Sequence, residues 1–367
     1  MVVWLYVAFI LGVLALLALD LGVLNRRARV IGAREALAWS AAWITVGLAF
    51  AVFVYFAYQG HWLGLGRDVD PADGRINDGW TATTKYLTGY VVEKSLSLDN
   101  IFVIAMIFAF FGVPAMYQHR TLFWGILGAL VLRGVMIGVG AELVAAFHWI
   151  LYVFGALLIL TAVKMLWLGD APREPHRNPI VRLARRVVPV TERFHGAHFL
   201  VRAGSPPSAA AATPDAPRHA DAAVAAARPA TLMLTPLALA LVTVETTDVV
   251  FAVDSIPAVF AITADPFLVF TSNVFAILGL RALYFALAAL IGKFRYFKVA
   301  LAIVLAYIGV KMLIAGYIPI PTTVSLVVIA AVLVGGALTS ALVVRRRPPL
   351  APFPSAPPEP THVPGNP

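Results

Sequence analysis

At 367 residues, 60% of them hydrophobic and 13% charged, the chain is far more apolar than a soluble domain, where roughly 45–50% is usual, and it reads as a membrane protein. It has no cysteine, which excludes disulfides, thiolate metal sites and thiol redox chemistry, so any metal must be held by oxygen or imidazole. The net charge of +9 does not point to nucleic acid, because most arginines outside the apolar stretches lie directly beside them.

In chain order, about nine stretches reach the ~20 apolar residues needed to cross a ~30 Å hydrocarbon layer. They are 2–24, 39–58, 83–111, 122–146, 149–168, 234–262, 266–291, 297–318 and 322–344. The expected fold is an all-α polytopic membrane protein. The first stretch lacks the basic n-region and small-residue cleavage site of a signal peptide and is read as a retained span. Basic residues follow alternate spans: Arg26, Arg27, Arg29 and Arg34; His119 and Arg120; nine arginines within 170–231; Lys293, Arg295 and Lys298; and Arg345, Arg346 and Arg347. The positive-inside rule then puts the N-terminus outside, the C-terminus in the cytoplasm, and the loop with Asp68, Asp70, Asp73 and Asp78 outside. In the long connection after span 5, residues 178–201 mix arginines with apolar residues and are read as lying on the cytoplasmic leaflet, a surface for a cytoplasmic partner. Residues 205–230 are Ala, Pro and polar residues and read as a disordered linker, as does the Pro-rich tail 345–367. His195 and His198 have a metal-like spacing, but exposed polar residues are the default there.

Spans 3 to 5 resemble spans 6 to 8. SLDNIFVIAMIF (97–108) aligns with TTDVVFAVDSIP (246–257), pairing Asp99 with Asp248. GALVLRG (128–134) aligns with AILGLRA (276–282), pairing Arg133 with Arg281, and AVKMLWLG (162–169) with GVKMLIAG (309–316), pairing Lys164 with Lys311. The Asp-to-Arg intervals are 34 and 33 residues and the Arg-to-Lys intervals 31 and 30. A unit of three spans must insert the second copy upside down, which gives a 3+3 inverted-topology repeat, the plan of many secondary transporters, with a site near the midplane. The organisation expected is 1–82, two helices and an outer loop; 83–169, repeat 1; 170–231, the basic segment and linker; 232–318, repeat 2; 319–344, a final helix; and 345–367, the tail.

The charges inside these spans include five acids (Glu93, Asp99, Glu245, Asp248, Asp254) and five bases (Lys94, Arg133, Lys164, Arg281, Lys311), while Asp20 and Glu142 lie near span ends, where a solvated charge costs little. Unpaired, each central charge costs roughly 2.5–3.5 kcal/mol, on the order of 25 kcal/mol together. They must face one another or water. Five structural ion pairs would satisfy that demand, but apolar replacement of buried pairs is often neutral or stabilising, so function is the better reason to keep ten charges. Carboxylates with the Asn100 amide and nearby hydroxyls make a hard oxygen shell suited to Mg, Ca or Mn. The candidate metal set is Glu93, Asp99, Asn100, Glu245, Asp248 and Asp254, with Arg133, Lys164, Arg281 and Lys311 balancing charge. Asp254 lies about half a turn from the Glu245 face, so joining that shell requires a helix break, which Pro257 would supply by removing the bond to the Val253 carbonyl. No phosphate loop, nucleotide fingerprint or nucleophile motif is present, so neither an enzyme nor an organic cofactor is expected.

EKSLSLDNIFV (93–103), VETTDVVFAVDSIPAVFAIT (244–263) and TSNVFAILGLRALYF (271–285) closely resemble the TerC family of bacterial integral membrane proteins, including its Alx branch. The likeness runs from about residue 19 to residue 316 and takes in NPIVRLARR and VTERFHG. The resemblance implies a multi-pass protein of the bacterial inner membrane, kinship with the LysE transporters, and manganese efflux that requires intramembrane acids at Glu93, Asp99, Glu245, Asp248 and Asp254. A ring of carboxylates repels the tellurite oxyanion, so the tellurium resistance behind the family name is read as indirect. The leading expectation is a secondary transporter exporting Mn²⁺, with a proton as candidate counter-ion. The alternatives are a membrane scaffold for stress or metal-insertion complexes that docks through 178–201, and a Ca²⁺ or Mg²⁺ transporter using the same ligands.

Overall fold

The computed structural model describes residues 2–19, 32–147, 149–167, 182–183, 186, 188–191, 194–202, 231–288, 295–315, 317–318 and 320–344. Arg26, Arg27, Arg29, the linker 205–230 and the tail 345–367 lie outside the described residues, as does the side chain of Asp99.

The fold is helical, as expected. Helices α1 (Val2–Leu19) and α2 (Ala33–Gln59) precede α3 (Gly79–Phe111), α4 (Ala115–Ala146) and α5 (Ile150–Trp167). After the long connection come α6 (Pro236–Phe260), then α7 (Pro266–Leu278) and α8 (Leu280–Ala288) in place of one expected span, α9 (Arg295–Ile314) and α10 (Thr322–Val344). Among the described residues, seven helical segments are long and apolar enough to cross a membrane, α7 and α8 counting together. Two further apolar helices, Val3–Leu19 and Val299–Ile314, are shorter.

Local chemistry sets the helix ends. Asp78 caps α3, its Oδ1 accepting from the Thr81 N–H at 2.7 Å, and Gly112 ends the helix in the left-handed region at φ 63°, where a Cβ would be strained. Thr235 caps α6 and Asp265 caps α7, each followed by a proline in the first turn, whose missing N–H leaves no orphan donor there. Among the described residues, two short antiparallel pairs interrupt the helices. β1 (Val69–Asp70) pairs with β2 (Arg75–Ile76) in the loop before α3, and β3 (Leu200–Arg202) pairs with β4 (Leu232–Leu234), joining the two ends of the long connection.

Helix α3 is the hub, packing on α2, α6, α7 and α10, while α4 lies on α6 and α5 lies along α9. The α5–α9 approach is close enough that a Cβ on Gly309 would sit 2.8 Å from the Gly155 carbonyl oxygen. Small residues let backbones meet in this way where lipid supplies no hydrophobic drive. Helix α7 is buried from Phe267 to Leu278 except at Phe270, which is half-buried.

One expectation is corrected. Helix α6 is continuous from Pro236 to Phe260, with Pro257 inside it, and does not open at Asp254. Proline deletes a single hydrogen bond, and here the helix ends three residues later in any case. The interruption falls instead at Gly279, between α7 and α8. There the Lys94 ammonium donates to the Ala276 carbonyl at 3.0 Å, putting a cation on the negative end of α7. A Cβ on Gly279 would lie 2.7 Å from Lys94 Nζ.

Candidate functional site

The charges that the apolar spans cannot leave bare converge on Arg133 of α4, which is 2% exposed. Its Nη2 and Nε donate to Asp248 Oδ1 and Oδ2, both at 3.0 Å. This is the forked pairing that a planar guanidinium makes with a carboxylate. Its Nη1 donates to Glu93 Oε1 on α3, to Asn273 Oδ1 on α7 at 3.1 Å and to Ser255 Oγ on α6 at 3.3 Å. Asn273 turns its amide nitrogen to the other Glu93 oxygen at 3.2 Å. Glu93 is fully buried, and Asp248 keeps 15% side-chain exposure. Four helices therefore meet on one cation. Two buried carboxylates are tolerable in such a place because every oxygen finds a donor.

Asp248 and Arg133 also line a small cavity with Ser97, Asn100 and Thr247, closed by apolar residues such as Ile104 and Phe251. Its volume is about 20 Å³, room for one water-sized species. The Ser97 hydroxyl is buried and has no hydrogen-bond partner among the described residues. One turn before Asp248, the Glu245 carboxylate lies directly against Gly128 of α4, where there is no space for a Cβ, and its Oε2 is likewise unpartnered.

The remaining sequence candidates are spread out. Asp254 turns to α5, its Oδ1 accepting from Thr161 Oγ1 at 2.8 Å, on a different face of α6 from Ser255. Arg281 is buried on α8. Lys164 is exposed near the end of α5. Lys311 borders a separate cavity of about 260 Å³ shared with Asp73 and Tyr152. Among the described residues, no three His, Asp or Glu side chains stand together in a way that could hold a metal ion.

Sequence reasoning passed over Asn273 and Ser255, uncharged residues that complete the Arg133 shell; the NVFAILGLR stretch carried Asn273 in plain view. It also passed over a second buried cluster at the α3 N-terminus. Lys85, 0% exposed, reaches Asp70 Oδ2 and Asp73 Oδ2, each at 2.9 Å, and Asn77 Oδ1 at 2.7 Å. Asp70 Oδ1 accepts from the Ala264 N–H at 2.8 Å, and Oδ2 from the Thr263 hydroxyl. Asp265 Oδ2 accepts from the Tyr58 hydroxyl at 2.8 Å. The β1–β2 loop is thereby pinned to the α6–α7 turn. Burial opposes ionisation of Asp70, but the Lys85 ammonium and the Thr263 hydroxyl outweigh it and hold the carboxyl below its ordinary range. Burial, with the Asp70 charge adding to it against the Tyr58 bond, pushes the Asp265 carboxyl up.

Comparison with known proteins places this architecture. Residues 78–348 match the integral membrane protein TerC family. The chain is 43% identical over 345 residues, 94% of each protein, to "Uncharacterized membrane protein STKORF319" of Myxococcus xanthus. It is 42% identical over 329 residues, 89% of this chain and 90% of the relative, to "Putative membrane-bound redox modulator Alx" of Escherichia coli K12. An uncharacterized membrane protein of Rickettsia bellii is 36% identical over 92% of this chain and 97% of its own length. No solved structure matches. With residues 78–348 matching the family and relatives similar over about nine-tenths of its length, the chain belongs to the TerC family of integral membrane proteins.

Proposed function

We propose that the chain is a secondary transporter that exports a divalent cation, manganese first, from the cytoplasm through the Glu93–Asp248 site. The observation that carries this reading is the meeting of one carboxylate from each half of the chain on a single buried cation, with Asn273 and Ser255 oxygens beside them. Two carboxylates and neutral oxygens form the donor set of a hard divalent ion. Asn100, Ser97 and Thr247 add oxygens at the adjoining cavity, and Glu245 offers an unpartnered carboxylate oxygen one turn away.

The exchange of helix partners supports a pseudo-symmetric carrier: α3 packs on α7 as α4 packs on α6, and α5 lies along α9. The interrupted α7–α8 segment adds a broken helix beside the site, a recurring feature of such carriers. The bacterial inner membrane, with the N-terminus outside and the C-terminus in the cytoplasm, completes the reading. Moving a divalent ion outward against 100 mV, inside negative, costs roughly 4.6 kcal/mol, twice the ~2.3 of a single charge. A counter-ion, with the proton as first candidate, supplies the drive. The name of the Escherichia coli relative points to redox balance; this chain has no cysteine, so a redox effect here would come through its cargo and not through thiol chemistry.

The test is Mn²⁺ accumulation in everted membrane vesicles carrying wild type, Glu93→Gln, Asp99→Asn or Asp248→Asn. Wild type accumulates the ion and the Glu93 and Asp248 variants do not. Equal flux in all four would reject the site, and a preference for Ca²⁺ or Mg²⁺ in competition would reassign the cargo.

A further inference from the structure

The central oxygens that the transport reading gives to the cargo are already in use. Asp248 gives both carboxylate oxygens, Glu93 one, Asn273 its carbonyl and Ser255 its hydroxyl, all to the guanidinium of Arg133. The same lone pairs cannot serve two cations at once. Arginine does not lose its proton in proteins, so this competitor cannot be neutralised and has to move.

We propose that Arg133 is a tethered competitor: it fills the cation site in the cargo-free state, must swing out for the cargo to bind, and thereby sets the preference for divalent over monovalent ions. The inference rests on the transport reading and deepens it. A monovalent ion that displaces Arg133 exchanges one positive charge for another and loses the forked geometry at Asp248, so it gains nothing. A divalent ion brings twice the charge to the same two carboxylates and outcompetes the guanidinium. The way out leads toward the cavity that Arg133 borders with Ser97 and Asn100, where the buried Ser97 hydroxyl, unpartnered among the described residues, is a first acceptor; at about 20 Å³ that cavity holds one water-sized species, so the helices around it must part as the guanidinium moves. Refilling of the site by Arg133 would then expel the cargo after each crossing, so the residue that lowers affinity also speeds release.

The sign of the effect separates competition from a structural role. If Arg133 only held the helices together, its loss would weaken cation binding. Competition predicts the reverse. The full chain is purified in detergent as wild type, Arg133→Lys and Arg133→Gln, and Mn²⁺ binding is measured by calorimetry with and without excess Na⁺. Arg133→Gln is expected to bind Mn²⁺ about tenfold more tightly than wild type, the scale of one charge-assisted hydrogen bond. Arg133→Lys, which keeps the charge but not the fork, falls between the two. Na⁺ should compete in Arg133→Gln but not in wild type, and release from loaded proteoliposomes should slow in both variants. Should Arg133→Gln not fold, the tighter binding and slower release of Arg133→Lys carry the test alone. Binding that is unchanged or weaker in a folded variant overturns the proposal. Failure of wild type itself to bind or move Mn²⁺ would instead reject the transport reading.

Discussion

Replacing Lys85 by methionine tests the physical account of the buried cluster that ties the β1–β2 loop to the α6–α7 turn. The methionine fills the volume of the stem and removes the ammonium that sits 2.9 Å from Asp70, 2.9 Å from Asp73 and 2.7 Å from Asn77. Removing one partner of a buried pair usually costs 3–5 kcal/mol because it strands the other charge. Asp70 keeps donors from Ala72, Ala264, Asn77 and Thr263, and Asp73 is partly solvated, so the low end, about 3 kcal/mol, is expected. The double variant Lys85→Met with Asp70→Asn strands no fully buried charge, since the carboxylate left over, Asp73, is partly solvated. It should lose less than the sum of the single variants, with a coupling of about 2 kcal/mol. The pH dependence follows from the same contacts. Asp70 has a lower pKa folded than unfolded. Its contribution is therefore complete above the unfolded carboxylate value near ~3.9 and is lost as pH falls through the folded value. Lys85→Met removes the strongest influence lowering that pKa, so the acid-side loss shrinks. Equilibrium unfolding in mixed micelles, followed by tryptophan fluorescence between pH 3 and pH 7, measures all of this. A Lys85→Met protein within about 0.5 kcal/mol of wild type at pH 7, or single losses that simply add, would refute the reasoning.

Three further outcomes are expected. Asp265 is an acid whose pKa is raised on folding, so it contributes a fall in stability as pH rises from ~3.9 through its folded value. Asp265→Asn keeps a capping side chain and should flatten that slope in the same titration; identical slopes would count against the assignment. Gly309→Ala places a Cβ 2.8 Å from the Gly155 carbonyl oxygen and 2.8 Å from Ile159 Cγ1, and should cost about 1–3 kcal/mol by overpacking, read as a lower melting temperature. Gly279→Ala displaces the Lys94 ammonium from the Ala276 carbonyl. It should cost about 1.5–3 kcal/mol, as for a hydrogen bond to a charged group, and Lys94→Met made in the same background should then add little.

What the sequence disclosed follows from what each signal measures. Hydropathy located the long helices because lipid penalises any other backbone arrangement, and the charges inside them stood out for the same reason. Glu93, Arg133 and Asp248 were therefore visible before any coordinates, and they meet. Asn273 and Ser255 were not, because an uncharged polar residue in an apolar helix costs too little to be conspicuous. Lys85 and Asp70 were missed for another reason: Asp70 belongs to a polar loop that reads as solvated, and only folding buries it completely. The helix break was sought at Pro257, where a hydrogen bond must be lost, and occurs at Gly279. What permits it there is the Lys94 ammonium, brought in from α3, 182 residues away from Ala276 in sequence. Local sequence carries no trace of such a contact.

Helix α3 joins these observations. Lys85, Gly89, Glu93, Ser97 and Asn100 fall within a sector of roughly 120° at 100° per residue, and Lys85 and Glu93 stand about 12 Å apart along the axis. Each of the two levels holds one tethered cation between two carboxylates: Lys85 between Asp70 and Asp73, and Arg133 between Glu93 and Asp248. Between them Gly89 brings α3 against Ser272 of the buried α7, where a Cβ would lie 3.0 Å from the Ser272 hydroxyl. A rigid helix that slides along or rotates about its own axis moves both levels together. Such a motion of α3, in releasing Glu93 from Arg133, must also load the Lys85 contacts, and that mechanical link ties Glu93 to the end of the bundle.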